Sequence, residues 1–265
     1  MPEGDTVWLV AHRLQQALGR QTLTDTDFRV PRLATVNLAG STVSNVGSYG
    51  KHVLIRLDSP DSGPVTLHSH LRMEGSWHLY RSGSRWRGGR THEIRAILRT
   101  EPTVAVGYRL AEVAIAPTAA EHETFLGHLG PDILGPDFNA DLARRNLMRD
   151  PDRPIAEALL DQRVVAGLGM NYVAEVCFLA GVHPLDRIGD IDAVGILDLG
   201  VRMLQANRGR ASRVTTGRQA RGETSWVHGR NACLRCGTRL IQVTIGVPPR
   251  TRRIVCCPRC QRNPR

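Results

Sequence analysis

Cys233-Leu-Arg-Cys236, twenty intervening residues, then Cys257-Pro-Arg-Cys260: this stretch decides how the C-terminal part of the chain folds. Two CxxC knuckles at hairpin separation bring four thiolates within tetrahedral reach of one zinc ion. Between them Leu240-Ile-Gln-Val-Thr-Ile245 and Arg252-Arg-Ile-Val255 alternate as strands, and Pro248-Pro249 marks the turn. Cys256 competes with Cys257 as third ligand, although Cys257 gives the better knuckle spacing. Disulfides, the rival use of these thiols, belong to oxidising compartments. An ion held by four protein thiolates has no open position, so its role is structural. In so small a module, metal binding would supply much of the folding energy, on the order of 10–16 kcal/mol in zinc-finger peptides. The hairpin then becomes a rigid arm presenting Arg250, Arg252 and Arg253, whose guanidiniums suit phosphate oxygens.

Charge points to the same partner. The 265-residue chain has a formal charge of +10, unevenly spread. Residues 1–200 hold 20 basic against 24 acidic side chains, whereas residues 201–265 hold 15 arginines against Glu223 alone. A quarter of the chain this basic seeks polyanions, nucleic acid first among them. Trp226, the alternating Val and Ile and the patterned cysteines set it apart from a solubilising tail. Cys177, the sixth cysteine, falls in an apolar helical pattern that suits a small buried thiol. No stretch is apolar enough to span a bilayer and no signal peptide opens the chain, so a soluble cytosolic protein is expected.

Upstream, the pattern changes twice. From Thr42 to Ile115 short apolar runs alternate with turn signals: Val53-Leu-Ile-Arg-Leu57, Val65-Thr-Leu-His68, Ile94-Arg-Ala-Ile-Leu98 and Val104-Ala-Val106. This predicts a β-sandwich or barrel. A helix precedes it, capped by Asp5 or Thr6, with Val7, Val10, Leu14 and Leu18 on one face and Gly19 at its end. From Glu123 the period is helical: Pro154 opens Ile155–Leu160, Tyr172–Ala180 ends at Gly181, and another helix spans Asp190–Ala206. The expected fold is α+β and multidomain, with boundaries at 1–117, 118–222 and 223–265.

Two features carry chemistry. Of 35 basic residues only Lys51, in Ser48-Tyr-Gly-Lys-His52, is a lysine. Unlike arginine, it can give up its proton and act as acid, base or nucleophile. The chain also opens Met1-Pro2-Glu3-Gly4, and removal of Met1 leaves a free secondary amine. Such an amine has a pKa of about 8 and is partly unprotonated at neutral pH. It is a nucleophile that can form an iminium with an electrophilic carbon. Glu3, its neighbour in sequence, is placed to carry protons as general acid and base.

Pro2-Glu3-Gly4, Gly50-Lys51, Leu129-Gly-Pro-Asp132, Leu159-Leu-Asp-Gln162 leading into Ala166-Gly-Leu-Gly169, Val182-His-Pro184 and the terminal Cys-Pro-x-Cys-Gln occur in one order. Together they resemble the Fpg/Nei DNA glycosylases from residue 2 to about 261, and endonuclease VIII (Nei) more than formamidopyrimidine-DNA glycosylase (Fpg). The resemblance implies an N-terminal catalytic β-sandwich with a leading helix, a helix–two-turn–helix DNA-binding domain and a zinc-finger hairpin. It implies a monomer, cytoplasmic and nucleoid-associated, whose substrate is double-stranded DNA carrying oxidised bases or abasic sites. It makes Pro2 the nucleophile, Glu3 the proton donor, Lys51 the donor for β-elimination and Arg252 the phosphate contact tied to δ-elimination. Cys233, Cys236, Cys257 and Cys260 hold the single structural Zn2+. Ser69–Gly75 aligns with the segment that fills the hole left by a flipped nucleotide. Met73 is the wedge candidate and Arg72 faces the orphaned base, while His70, Gly169, Asn171 and Arg253 complete the expected DNA contacts.

Two departures qualify the resemblance. The family has asparagine after Gly169, where this chain has Met170 and then Asn171. Either Asn171 substitutes after a local shift, or one phosphate contact is missing. There is also no counterpart of the Arg and Phe loop of Fpg, since Thr91–Val106 reads as a compact hairpin. That favours oxidised pyrimidines. The alternatives are an Fpg-like oxidised-purine glycosylase and a catalytically weak damaged-DNA-binding protein of the same fold.

Overall fold

The computed structural model describes residues 2–220 and 222–261. The chain divides into two compact units, Met1–His128 and Leu129–Arg265.

The first unit is a two-layered β-sandwich fronted by a helix. Helix α1 (Gly4–Leu18) is followed by β1 (Asp25–Phe28), β2 (Thr42–Tyr49), β3 (His52–Ser59), β4 (Gly63–His70), β5 (Ser76–Arg81), β6 (Ile94–Arg99), β7 (Thr103–Tyr108) and β8 (Glu112–Pro117). One sheet has the order β2-β3-β4-β8 and the other β1-β6-β7-β5, with every pairing antiparallel. Val53, Ile55 and Leu57 point one way from β3 because side chains alternate along a strand. They meet Val65 and Leu67 of β4, and Trp77, Ala96, Leu98 and Ala105 of the facing sheet, in one core. Full burial of each large aliphatic contributes roughly 1.5–3 kcal/mol. Helix α1 adds Val7, Ala11, Leu14 and Leu18. Ala11 replaces the expected Val10, which is only partly buried. The expected cap is also corrected: Glu3 occupies the N-cap, without a side-chain cap, and Asp5 lies inside the first turn.

The second unit holds α2 (Ala140–Leu147), α3 (Ile155–Leu160), α4 (Met170–Ala180), α5 (Ala193–Asn207) and the hairpin β9 (Ile241–Ile245) with β10 (Arg252–Cys256). The α3–α4 corner is knitted by Gln162. Its amide donates to Leu160 O and Leu168 O, both at 3.0 Å, and its Oε1 accepts from Gly167 N at 3.0 Å. The Leu129–Asp132 stretch folds against the same corner: Gly130 N donates to Gln162 O at 2.8 Å, and Ala166 N to Pro131 O at 2.9 Å. Short motifs far apart in sequence thus form one structure. The hairpin is tied down at its tip, where Gly246 N donates to Glu157 Oε1 at 2.7 Å, and at its base, where Gln261 donates to Val182 O at 2.9 Å. Among the described residues no helix is long and apolar enough to cross a membrane.

Candidate active site and metal centre

Pro2 and Glu3 immediately precede α1, and Lys51 lies in the turn between β2 and β3. The register of helix and strand brings them to one end of the sandwich. Beyond the helix end, Arg20 N donates to Val43 O at 2.8 Å, and Val43 N to Gln21 O at 2.9 Å. One turn earlier in the helix and three residues later in the strand, Val46 N donates to Gln15 Oε1 at 2.5 Å. Helix and strand therefore run in opposite directions. From Gln15 back to Glu3 is about 18 Å of helix, and from Val46 on to Lys51 about 17 Å of strand. The start of α1 thus comes level with the Gly50-Lys51 turn. Tyr49 pairs with His52, so the loop has two residues, and Gly50 adopts φ 55°, which glycine tolerates without strain. Glu3 is fully buried, while Pro2 and Lys51 are half-buried. Met1, whose removal the sequence reading expects, lies outside the described residues.

The Leu71–Gly75 turn presents Met73, which is 65% exposed although large and apolar. Leu71 anchors the turn in the core, and Gly75 N donates to Leu71 O at 2.9 Å. A Cβ at position 75 would stand 2.5 Å from that oxygen, so the close approach requires glycine. Arg72 holds a left-handed φ of 48°, and its guanidinium pairs with Glu112. Arg109 braces the turn from behind: its Nε donates to Glu74 O at 3.2 Å and its Nη1 to Glu93 at 2.7 Å. His70 Nδ1 accepts from Arg72 N at 3.0 Å.

In the second unit Gly169 is the N-cap of α4, Met170 its first residue and Asn171 its second. Arg252 and Arg253 are exposed on β10, opposite Ile245 and Thr244. Pro2, Glu3, Lys51, His70, Arg72 and Met73 thus belong to the first unit. Gly169, Asn171, Arg252, Arg253 and the cysteines belong to the second.

The sulfur positions resolve the cysteine ambiguity. One sulfur from each of Cys233, Cys236, Cys257 and Cys260 lies within 4.8 Å of the others. Cys236 Sγ is 3.5 Å from Cys257 Sγ and 3.6 Å from Cys260 Sγ. Four thiolates on a tetrahedron of about 2.3 Å bonds stand about 3.8 Å apart, so this donor set fits zinc. Cys256 points elsewhere: it is buried 3.9 Å from His183 Nε2, and burial pushes its thiol up to about 11.

Two groups had no sequence signal. Glu175, fully buried in α4, accepts the amides of Trp226 (2.8 Å), Val227 (2.8 Å) and His228 (2.7 Å) and the Thr215 hydroxyl. One carboxylate therefore ties Thr215 and residues 226–228 of the segment between α5 and the cysteine hairpin to α4. The other group is a set of histidines beside Lys51. Both are assembled by residues distant in sequence, which no local pattern announces.

With this geometry in place, comparison with known proteins identifies the family. The formamidopyrimidine-DNA glycosylase N-terminal domain matches residues 1–113, and the formamidopyrimidine-DNA glycosylase H2TH domain matches residues 129–192. The chain is 49% identical to the probable endonuclease 8 2 of Streptomyces coelicolor, over 100% of this chain and 95% of that protein. It is 43% identical to the DNA-(apurinic or apyrimidinic site) lyase Nei2 of Mycolicibacterium smegmatis, over 98% and 99% of the two chains. Wild-type Lactococcus lactis Fpg (MutM), solved with an oxidized pyrimidine containing DNA, superposes with a TM-score of 0.79 at 25% identity, covering 99% of this chain and 100% of its own. The chain belongs to the Fpg/Nei family of DNA glycosylases. Within that family it is Nei-like.

Proposed function

We propose that this protein is a bifunctional DNA glycosylase and abasic-site lyase of base-excision repair, acting on double-stranded DNA through the amine of Pro2. The observation that carries the reading is the antiparallel run of α1 along β2, which levels Pro2 and Glu3 with the chain's single lysine. The Pro2 nitrogen, freed by loss of Met1, attacks C1′ of the damaged nucleotide while Glu3 supplies a proton to the departing base or the opening sugar. The iminium that results acidifies C2′. Glu3, as general base, then takes the C2′ proton and elimination expels the 3′ phosphate, with Lys51 as proton donor. Arg252 on the rigid hairpin holds the phosphate for the second elimination, which frees the sugar.

Flipping the nucleotide leaves a void that a wedge must fill. Met73 takes that part, supported by its exposure on a turn braced from two sides; apolar side chains are used this way between base steps. Arg72 faces the orphaned base after exchanging Glu112 for it. His70, Gly169, Asn171 and Arg253 complete the DNA contacts. Oxidised pyrimidines are the favoured lesions, a reading supported by the three-residue Thr100–Pro102 connection between β6 and β7, which keeps Thr91–Val106 compact. One zinc ion on Cys233, Cys236, Cys257 and Cys260 stiffens the hairpin and takes no part in the chemistry. The protein acts as a monomer in the cytoplasm, at the nucleoid.

Borohydride trapping on abasic-site DNA tests the amine chemistry. A covalent adduct is expected from the wild type, and Pro2→Gly, which leaves a primary amine with altered geometry, should trap less. A wild type that forms no adduct removes the enzyme reading. Duplexes carrying thymine glycol or 8-oxoguanine test the lesion class, with faster cleavage of the first expected.

A further inference from the structure

His52 opens β3 directly after Lys51 and faces His70 across the β3–β4 register. Its Nδ1 lies 2.8 Å from His68 Nε2. The His68 ring stacks on Phe125 at 4.6 Å, His70 stands edge-on to His52 at 4.9 Å, and His128 closes the group at 6.3 Å. A chain of imidazoles therefore runs from the Lys51 turn to His70, whose Nδ1 accepts the Arg72 amide in the turn that bears Met73. The charged and titratable groups facing His52 and His68 are Lys51, His70 from β4, Glu112 from β8, and Glu121 and His128 from the segment behind the sheet.

A metal does not explain this group. Among the described residues only the four cysteines gather three or more ligand atoms closely enough for an ion. Burial first, then the neighbouring imidazoles, hold His52 down to about 3, and burial holds His68 down to about 4. Both rings are neutral near pH 7, and a neutral imidazole has one donor and one acceptor nitrogen. Their 2.8 Å contact is therefore a directional hydrogen bond, in which one ring donates and the other accepts. The direction matters because the lysine beside it stands on a flexible four-carbon stem.

We propose that the His52–His68 pair is a positioning unit for Lys51, fixing the two-residue turn so that the ammonium meets the eliminating sugar. The rings touch no reacting atom; they act through the lysine. This inference rests on the assignment of Lys51 to the elimination step. The pair also links the turn bearing the lysine to the turn bearing Met73 through His70, so that the two keep a fixed spacing on one flipped nucleotide.

The experiment separates elimination from base excision on a duplex carrying thymine glycol. Strand breaks read directly report elimination, and breaks read after hot alkali report excision. Wild-type trapping is recorded first, so that failure of the amine chemistry is seen before any histidine variant is scored. His52→Phe and His68→Phe keep a planar ring and remove the nitrogens. Each is expected to lower the ratio of direct to alkali-revealed breaks about tenfold, as misplacement of a catalytic group would. The double variant should fall no further, because the rings act as one unit. His52→Gln and His68→Gln, which keep a hydrogen-bonding terminus, should give ratios between wild type and phenylalanine, and they stand in should a phenylalanine variant fail to fold. An unchanged ratio overturns the proposal, as does an equal fall of both signals.

Discussion

At the scale of single residues, the same histidines link function to stability. His52 and His68 are held far below the ordinary imidazole value of 6.5, at about 3 and about 4. An imidazole that resists protonation when folded and accepts it freely when unfolded makes the unfolded chain bind more protons as pH falls. Their contribution to stability is therefore complete above pH 6.5 and drains away as pH drops toward the folded values. Each ring forfeits at most about 2 kcal/mol between pH 6.5 and pH 5. Urea titrations across pH 7.5 to 5, where most carboxylates stay ionised, should show this slope in the wild type. His68→Phe should flatten it, and an equally steep variant would assign the slope to other groups. None of this is legible in sequence. His52, His68 and His70 stand 16 and 18 residues apart, and only the β3–β4 register brings them together. Lys51 stands out in sequence as a candidate because composition isolates it, and Met73 because a whole motif surrounds it.

At the scale of elements, legibility follows burial. Val53-Leu-Ile-Arg-Leu57 announces a strand because one side of the sheet is dry. Asp25-Thr-Asp-Phe28 gives no such signal: it lies at a sheet edge and buries only Phe28. Ser76–Arg81 is similarly quiet, since Trp77 alone is buried. The metal hairpin shows most in sequence, because ligand spacing is itself a geometric constraint. It also permits a sharp test of neighbouring cysteines. Cys257→Ser removes one ligand from four, and the protein should lose its zinc, measured by metal release and colorimetric assay. Cys256→Ser should retain one zinc per chain, because that sulfur faces His183 instead. Equal zinc loss in both variants would contradict the ligand set. Metal removal should in turn loosen the hairpin and raise the Kd for DNA, since Arg252 and Arg253 depend on β10 for their placement.

At the scale of the whole molecule, charge and fold divide the labour along the chain. The first unit, residues 1–128, is nearly balanced, with 14 basic against 12 acidic side chains, while the last quarter of the chain carries 15 arginines against Glu223 alone. On the proposed reading, phosphate binding falls chiefly to the arginines of the last quarter, Arg252 among them, and base excision to the first unit. Arginine–phosphate contacts release condensed counterions, so log K should fall linearly with log salt, with a slope near −0.9 for each phosphate neutralised on duplex DNA. Arg252→Ala and Arg253→Ala should each flatten that slope by about one contact. Met73→Ala changes no charge and should leave the slope intact while slowing excision, because it removes a wedge rather than a phosphate contact. Fluorescence anisotropy at 50–200 mM salt, run beside single-turnover excision, separates the two classes of effect. A Met73 variant with an altered salt slope, or an Arg252 variant with an unaltered one, would break this division between binding and chemistry.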